Sequence, residues 1–176
     1  TIVGLGPIGE QVGRRCYSFG MNIIGVDPRR VERLPEVSEL HGPEALPQVL
    51  PRSDFVIVTV PYTPANENML GEVELALMKP SAYLIVTSRG RIVEHNALVA
   101  ALKDGTIAGA GLDAVIEEPF PADNELWGLD NVIITPHIAG NSPELDERTC
   151  DIFEWNLRRY VNGEPLRNVV DLELRY

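Results

Sequence analysis

The stretch TIVGLGPIG at positions 1–9 decides the fold of this protein. A short apolar strand over residues 1–5 runs into a GxGxxG motif, Gly4, Gly6 and Gly9, and a helix follows over residues 8–19. In this motif the glycines permit a tight turn, a close approach to a pyrophosphate and close packing of the helix on the strand. The motif therefore predicts the first strand–turn–helix unit of a dinucleotide-binding fold.

The next apolar segment, residues 22–26, ends in Asp27. An acidic side chain at that point can accept hydrogen bonds from the adenosine ribose hydroxyls and repels a 2′-phosphate, so it favours NAD over NADP. Arg29 and Arg30 follow directly. They are either solvated surface residues or cations that weaken this preference.

Strands and helices alternate along the rest of the chain. The predicted elements are strands over residues 22–26, 54–60, 83–87, 107–112 and 132–135, and helices over residues 43–50, 71–78, 94–103 and 143–161. Such alternation implies a parallel sheet with helices on both faces. We therefore predict an α/β protein with a Rossmann-type doubly wound parallel sheet in three layers, α/β/α. We expect a single NAD-binding domain over residues 1–176, with its core in residues 1–140 and a C-terminal helix and tail in residues 141–176.

The composition restricts the classes of partner. The chain has 176 residues, with 26 acidic against 15 basic side chains and a net charge of −11. This excess disfavours nucleic acid and anionic membranes as partners, and no apolar run reaches the ~18 residues of a membrane span. An anionic ligand must therefore be held by local donors, such as N–H groups at a helix N-terminus. Because Pro7 has no N–H, Ile8 and Gly9 are the expected donors.

The two cysteines, Cys16 and Cys150, form no CxxC pattern. They indicate reduced thiols in a cytoplasmic protein, and we predict no metal site. No signal peptide pattern opens the sequence. Since the sequence starts inside a strand and without Met, we expect it to be a piece of a longer chain.

A second set of polar residues follows three of the predicted strands. Arg89 stands in TSRG, Glu118 in GLDAVIEEP and His137 in TPHIAG. Ligands of parallel sheets bind at the carboxyl ends of the strands, where these three side chains can converge. Each has a plainer interpretation alone: a surface arginine, a solvated acidic turn, and a structural or exposed histidine. Their occurrence in order, downstream of the glycine motif, favours a shared site.

The chemistry of this second set suits hydride transfer. Oxidation of a hydroxyl needs a base for the O–H proton, and histidine changes its protonation state near neutral pH. His137 is the candidate base, and Glu118 beside it would favour the imidazolium form. Arg89 can bind a substrate carboxylate through two hydrogen bonds and polarise the reacting oxygen.

Longer segments resemble a known family. GLGPIG, MKPSAYLIVTSRG, ALKDGTIAGAGLD, EEP and NVIITPHIAG are similar to the D-isomer-specific 2-hydroxyacid dehydrogenases, from Thr1 to about Asp171. The resemblance implies an oxidoreductase that transfers hydride between NAD and a small D-2-hydroxy acid or 2-keto acid. It also implies a cytoplasmic homodimer. Exposed apolar residues such as Trp155 could contribute to a dimer interface, or Trp155 could pack in the core.

The resemblance further implies roles for individual residues. The arginine, glutamate and histidine of the second set match the substrate-binding arginine, the glutamate that pairs with the catalytic histidine, and that histidine. Asp113 matches the aspartate that holds the nicotinamide carboxamide, and Thr87 matches a backbone contact to the cofactor. Val60–Pro61 matches a loop beside the adenosine, where Thr59 replaces a frequent histidine. The predicted catalytic residues are Arg89, Glu118 and His137, and the predicted cofactor-binding residues are Gly4, Gly6, Pro7, Ile8, Gly9, Asp27, Val60, Pro61, Thr87, Ser88, Arg89, Asp113, His137 and Gly140.

The sequence departs from the family pattern in two respects. Pro7 occupies a position where a basic residue is frequent, which weakens the expected pyrophosphate binding. Family members also carry a second domain that houses much of the substrate pocket and is built mainly from a preceding segment; residues 141–176 would return toward it. We therefore expect the chain alone to bind NAD weakly and to turn over little or nothing.

Two other functions stay open at the level of sequence. One is a non-catalytic NAD-sensing or scaffolding module, like the transcriptional corepressors that resemble this family. The other is a dehydrogenase of formate or phosphite, for which the sequence gives no positive sign. The intact set of arginine, glutamate and histidine favours the hydroxyacid dehydrogenase over both.

Overall fold

A seven-stranded parallel sheet forms the centre of the structure, a computed structural model that describes residues 1–30 and 32–173. The strands are β1 Ile2–Val3, β2 Ile23–Val26, β3 Val37–His41, β4 Phe55–Val58, β5 Tyr83–Val86, β6 Gly109–Leu112 and β7 Val132–Ile134. The α-helices are α1 Pro7–Ser18, α2 Leu46–Val49, α3 Glu72–Leu77, α4 His95–Lys103 and α5 Leu145–Val161. The predicted Rossmann-type α/β fold is confirmed.

The strand order, β3-β2-β1-β4-β5-β6-β7, reverses direction between β1 and β4. The chain builds outward from β1 through β2 and β3, then crosses back and adds β4 on the other side of β1. At such a switch point the connections leave the strand ends in opposite directions and open a crevice at the carboxyl edge, where ligands bind. The glycine motif follows β1 and therefore lies at this crevice.

Two apolar clusters cover the two faces of the sheet. Ile2 belongs to a cluster against which the α1 side chain Val12 packs. Val3 belongs to the larger cluster, which includes Leu75 of α3 and Leu98 of α4. Because successive residues of a strand point to opposite faces, the two clusters lie on opposite sides of the sheet. This arrangement confirms the predicted three layers, with helix, sheet and helix stacked in that order.

Helix α1 contacts the sheet through glycines as well as apolar side chains. The sequence predicts one apolar face that includes Ile8 and Phe19, but these side chains are 63% and 85% exposed. Gly9 and Gly13 are buried instead, and a Cβ at Gly13 would lie 3.4 Å from Cδ1 of Ile2. The helix thus approaches the strand so closely that part of its contact face has no side chains, which apolar periodicity does not reveal.

Strand β3 is absent from the sequence-based prediction. Its sequence, VSELH, has one buried residue, Val37, and four that are partly or fully exposed. β3 lies at the edge of the sheet and pairs with β2 alone. An edge strand that faces solvent carries no continuous apolar run, and such a run was the signal that identified the other strands.

The chain divides into two compact units, Thr1–His137 and a second that begins at Ile138. Within the second unit the ring of Trp155 lies 4.5 Å from the Arg159 guanidinium and 4.2 Å from that of Arg167. Asn156 exchanges hydrogen bonds with the backbone of Arg167, which ties the tail to α5. The single domain with a core over residues 1–140 stays a prediction. No helix within the described residues is long and apolar enough to cross a membrane.

The turn between β1 and α1 requires glycine at two positions for different reasons. Gly4 has a φ of +99°, in a region that L side chains rarely adopt, and its N–H donates to the Val26 carbonyl at 2.8 Å. A Cβ at Gly9 would lie 1.9 Å from the Gly4 carbonyl oxygen, which is inside van der Waals contact. A Cβ at Gly6 would meet no atom of the described chain within 4 Å. Gly4 and Gly9 therefore serve the fold, whereas Gly6 leaves open space beside the turn.

We expect Gly9→Ala and Gly6→Ala to differ in stability. The alanine at position 9 collides with backbone that cannot yield, so Gly9→Ala should lower the free energy of unfolding by about 2 kcal/mol or more. Gly6→Ala adds a methyl group in open space and should change it by less than about 1 kcal/mol. Urea unfolding followed by circular dichroism measures both. Equal stability of the two variants would contradict the close packing of α1 on β1.

Candidate active site

The carboxyl ends of the last three strands are aligned by their register. Val86 of β5 pairs with Leu112 of β6, which pairs with Ile134 of β7. The residues that follow these ends therefore lie side by side at one edge of the sheet. Asp113 is buried there and accepts a hydrogen bond from Thr135 Oγ1 at 2.5 Å. The three strand-end motifs therefore begin side by side at this edge, and the convergence of all three side chains on one site stays a prediction.

His137 and Glu118 form a hydrogen-bonded pair. His137 Nδ1 lies 2.7 Å from Glu118 Oε2, and the two side chains are 39% and 41% exposed. The other carboxylate oxygen of Glu118 accepts from the Val115 N–H at 3.4 Å. The backbone thus orients the carboxylate and the carboxylate orients the ring. Because the pair uses Nδ1, the Nε2 atom is left to face a reacting group.

The backbone at His137 adopts an uncommon conformation. Its φ is +53°, in the left-handed region, and its N–H donates to the Thr135 carbonyl at 3.0 Å, across Pro136. A residue with a Cβ reaches this region only at some energetic cost, and such residues cluster at functional sites. This tight turn places the histidine directly after β7, where its ring meets Glu118.

Arg89 follows β5 at the same edge but does not join the histidine and glutamate. Among the described residues its guanidinium donates to the Ser88 carbonyl, at 2.8 Å. The loop that carries it is nevertheless packed on the loop after β6, since a Cβ at Gly90 would lie 2.0 Å from the Val115 carbonyl carbon. Sequence reasoning missed this role of Gly90, which brings the arginine loop against the backbone that orients Glu118.

The carboxylate of Asp27 organises the other end of the edge, beside the glycine turn. Its Oδ2 accepts from the Leu5 N–H at 2.8 Å, and its Oδ1 accepts from the N–H groups of Arg29 and Arg30 at 2.9 and 3.0 Å. Burial favours the neutral carboxyl and raises its pKa, but the three N–H donors outweigh burial and hold the pKa of Asp27 below its ordinary value. Asp27 is therefore an ionised acceptor at neutral pH.

Residues after β4 support the glycine turn from the side. Thr59 Oγ1 donates to the Gly4 carbonyl at 2.6 Å. A Cβ at Gly4 would lie 2.7 Å from Val60 Cγ1, so the predicted loop at Val60–Pro61 lies against the turn. From the sequence, Thr59 is identified only as the residue that replaces a frequent histidine. Its hydroxyl holds the carbonyl that Gly9 approaches, a contact that only the fold creates.

The residues at this edge suit an extended dinucleotide. Gly6 leaves open space at the N-terminus of α1, where N–H groups attract a pyrophosphate. The Ser88 hydroxyl is buried and has no hydrogen-bond partner within the described residues, as expected of a group that meets a ligand. Pro7 is the first residue of α1, which agrees with its lack of an N–H. Gly140 belongs to the second compact unit, and its contact with a cofactor stays a prediction.

The described residues, 1–30 and 32–173, contain no group of three or more His, Cys, Asp or Glu side chains able to hold a metal ion. The candidate chemistry at this edge consists of the histidine–glutamate pair and the arginine and aspartate beside it.

Comparison with known proteins identifies the family. Residues 1–139 match the model of the D-isomer specific 2-hydroxyacid dehydrogenase, NAD binding domain. A glyoxylate reductase of Korarchaeum cryptofilum is 43% identical over 175 residues, which are 98% of this chain and 52% of that protein. The chain thus spans about half the length of the curated relatives it matches.

Solved structures agree with this match. A D-isomer specific 2-hydroxyacid dehydrogenase from Xanthobacter autotrophicus Py2, in complex with NADPH and MES, superposes with a TM-score of 0.92 at 36% identity, over 99% of this chain and 71% of that one. The NAD complex of a D-isomer specific 2-hydroxyacid dehydrogenase from Lactobacillus delbrueckii ssp. bulgaricus superposes with a TM-score of 0.83 at 32% identity. This match covers 97% of this chain and 54% of that one. The fold, the glycine turn and these matches together establish that the chain is an NAD-binding domain of the D-isomer specific 2-hydroxyacid dehydrogenase family.

Proposed function

We propose that the chain serves an NAD-dependent D-2-hydroxyacid dehydrogenase, in which it binds the cofactor and supplies the proton-transfer group. The observation that carries this proposal is the 2.7 Å hydrogen bond between His137 Nδ1 and Glu118 Oε2 at the carboxyl edge of an NAD-binding sheet. A histidine whose second nitrogen faces the reacting group, with a carboxylate behind it, is suited to general acid–base catalysis. A module that only sensed NAD would have no use for this pair.

Hydride transfer to and from the substrate carbon is the chemistry that bound NAD supplies. His137 accepts the hydroxyl proton at Nε2 during oxidation of the 2-hydroxy acid and returns it to the oxygen during reduction of the 2-keto acid. Glu118 fixes the ring orientation and stabilises the imidazolium that results. Asp113, which accepts a hydrogen bond from Thr135, would hold the carboxamide of the nicotinamide.

The proposed substrate is a small D-2-hydroxy acid or the corresponding 2-keto acid. Arg89 would turn from the Ser88 carbonyl to the substrate carboxylate, which offers two charged acceptors in place of one neutral oxygen. Several similar proteins are named glyoxylate reductases, so glyoxylate is the first substrate to test. The positive guanidinium also attracts an acidic substrate locally, against the net charge of −11.

The cofactor is held at the glycine end of the edge. The N–H groups of Ile8 and Gly9 bind the pyrophosphate, and Asp27 binds the ribose hydroxyls and disfavours a 2′-phosphate. We further propose a homodimer in a reducing, cytoplasmic compartment. The two free thiols, Cys16 and Cys150, support the choice of compartment.

Gly6→Ala should weaken NADH binding with little change in stability. The added methyl group would occupy the open space beside the turn that the pyrophosphate is expected to approach. We expect the dissociation constant for NADH, measured by nicotinamide fluorescence on the 176-residue chain, to rise at least about tenfold. An alanine at Gly128, where a Cβ also meets nothing within 4 Å, is the matched control and should leave it unchanged. Unaltered NADH binding by Gly6→Ala would contradict the assigned pyrophosphate position.

Replacing His137 should lower turnover far more than it lowers NADH binding. His137→Gln removes the proton-transfer group and should lower kcat for glyoxylate reduction by about 10²–10⁴-fold. Glu118→Gln keeps the hydrogen bond but loses the charge, so its effect should be smaller. The assay follows NADH absorbance with this domain joined to the part of a glyoxylate reductase relative that lies outside the matched region. His95→Gln is the control, since His95 is bonded to Asn124 outside the proposed site. An active His137→Gln enzyme would refute the assignment.

The 176-residue chain alone should reduce glyoxylate little or not at all. The histidine–glutamate pair is about two-fifths exposed here, and water around a reacting group weakens electrostatic stabilisation. The measurement is NADH consumption by the chain alone against the joined enzyme at equal concentration. Comparable rates would mean that the chain carries a complete substrate site.

A further inference from the structure

Arg30 is held in place by two partners beside the glycine turn. Its Nε donates to the Leu5 carbonyl at 3.1 Å, and its terminal nitrogen forms an ion pair with Glu10. The two charged side chains are only 23% and 25% exposed, so the pair is largely withdrawn from solvent. Two of the five N–H groups of this guanidinium are therefore engaged, and Glu10 offsets its positive charge.

The position of this pair connects it to the adenosine end of the cofactor. The N–H of Arg30 donates to Asp27 Oδ1, and the other Asp27 oxygen accepts from the N–H of Leu5. Both backbone groups of Leu5 are therefore bound by the segment that follows β2. Glu10 stands in the first turn of α1 and reaches this segment from the other side of the turn.

We propose that Glu10 determines cofactor preference by holding Arg30 away from the adenosine 2′ position. This inference rests on the proposed binding of NAD at the glycine turn and Asp27. While the ion pair exists, Glu10 offsets the charge of Arg30, and the Asp27 carboxylate repels a 2′-phosphate. When Glu10 is absent, the backbone N–H of Arg30 still holds this residue next to Asp27, and its guanidinium, no longer neutralised, can bind a phosphate.

The inference assigns Glu10 a role that no residue of the GxGxxG motif has. The glycines and Asp27 bind the dinucleotide and its ribose, whereas Glu10 determines whether the positive charge near a 2′-phosphate is neutralised. Arg29 is the competing candidate for phosphate binding, since its N–H also donates to Asp27 Oδ1. The contributions of the two arginines to phosphate binding are distinguished by replacing one arginine at a time in the Glu10→Gln variant.

The test measures NADH and NADPH dissociation constants on the 176-residue chain by nicotinamide fluorescence. Glu10→Gln retains the shape of the side chain and removes its charge. We expect it to shift the ratio of the two constants toward NADPH by about tenfold, the effect of one charge-assisted hydrogen bond. The double variant Glu10→Gln with Arg30→Gln should lose this gain, whereas Glu10→Gln with Arg29→Gln should retain it.

Glu125→Gln is the matched control. It removes the same charge from a glutamate that is ion-paired with Lys103, between β6 and β7, and should leave the ratio unchanged. Thermal unfolding of each variant, followed by circular dichroism, establishes that the variants are folded. If Glu10→Gln unfolds the chain, Arg30→Gln alone decides. This variant leaves the Glu10 carboxylate unpaired beside the turn, so the ratio of the two constants should shift away from NADPH. An unchanged ratio would overturn the inference.

Each outcome has a definite meaning. A tenfold shift toward NADPH that depends on Arg30 supports the inference. The inference is overturned by an unchanged ratio or by a shift that depends on Arg29. It is also overturned by an equal loss of affinity for both cofactors, because the ion pair would then only stabilise the turn. The proposed function is tested separately, by the titration of the wild-type chain. If the wild-type chain binds neither cofactor, the proposed function is refuted.

Discussion

The close approach of Gly9 to the carbonyl oxygen of Gly4 is the constraint on which the rest of the structure depends. It brings the N-terminus of α1 directly over the end of β1, and no residue with a side chain could occupy the position. The polar groups of this turn are then shared among its neighbours. Thr59 binds the Gly4 carbonyl, and Asp27 and Arg30 bind the two backbone groups of Leu5. The turn expected to bind the dinucleotide is thus held by hydrogen bonds from both sides of the switch point.

The end of the site with the proposed catalytic residues depends on a different constraint, the register of parallel strands. Because β5, β6 and β7 end at the same level, the loops that follow them begin side by side. Each loop then contributes one chemical group. The left-handed backbone at His137 and the donor at Val115 bring the histidine and Glu118 to hydrogen-bond distance without a direct sequence relation between them.

The groups expected to bind anions in this protein act at short range, against its overall negative charge. The net charge of −11 disfavours anions at long range, yet the proposed ligands, a pyrophosphate and a carboxylic acid, are anionic. Backbone N–H groups and single arginines provide the attraction at short range. Three N–H donors stabilise the Asp27 carboxylate, and Glu10 neutralises Arg30. Arg89, at the proposed catalytic edge, has no ion-pair partner among the described residues.

The sequence by itself determined the fold class and the family, and it named candidate residues for both ends of the site. Strand–helix alternation and motif spacing are local properties, and residues such as His137 and Glu118 lie in short segments that can be read directly. The sequence did not reveal the edge strand β3, whose half-exposed residues lack an apolar run, or the glycine face of α1, which no hydrophobic pattern marks. Only the tertiary structure decided that Thr59, Gly90 and the Glu10–Arg30 pair support the site. Their partners are distant in sequence, and a hydrogen bond or a close contact between distant segments exists only once the chain has brought them together.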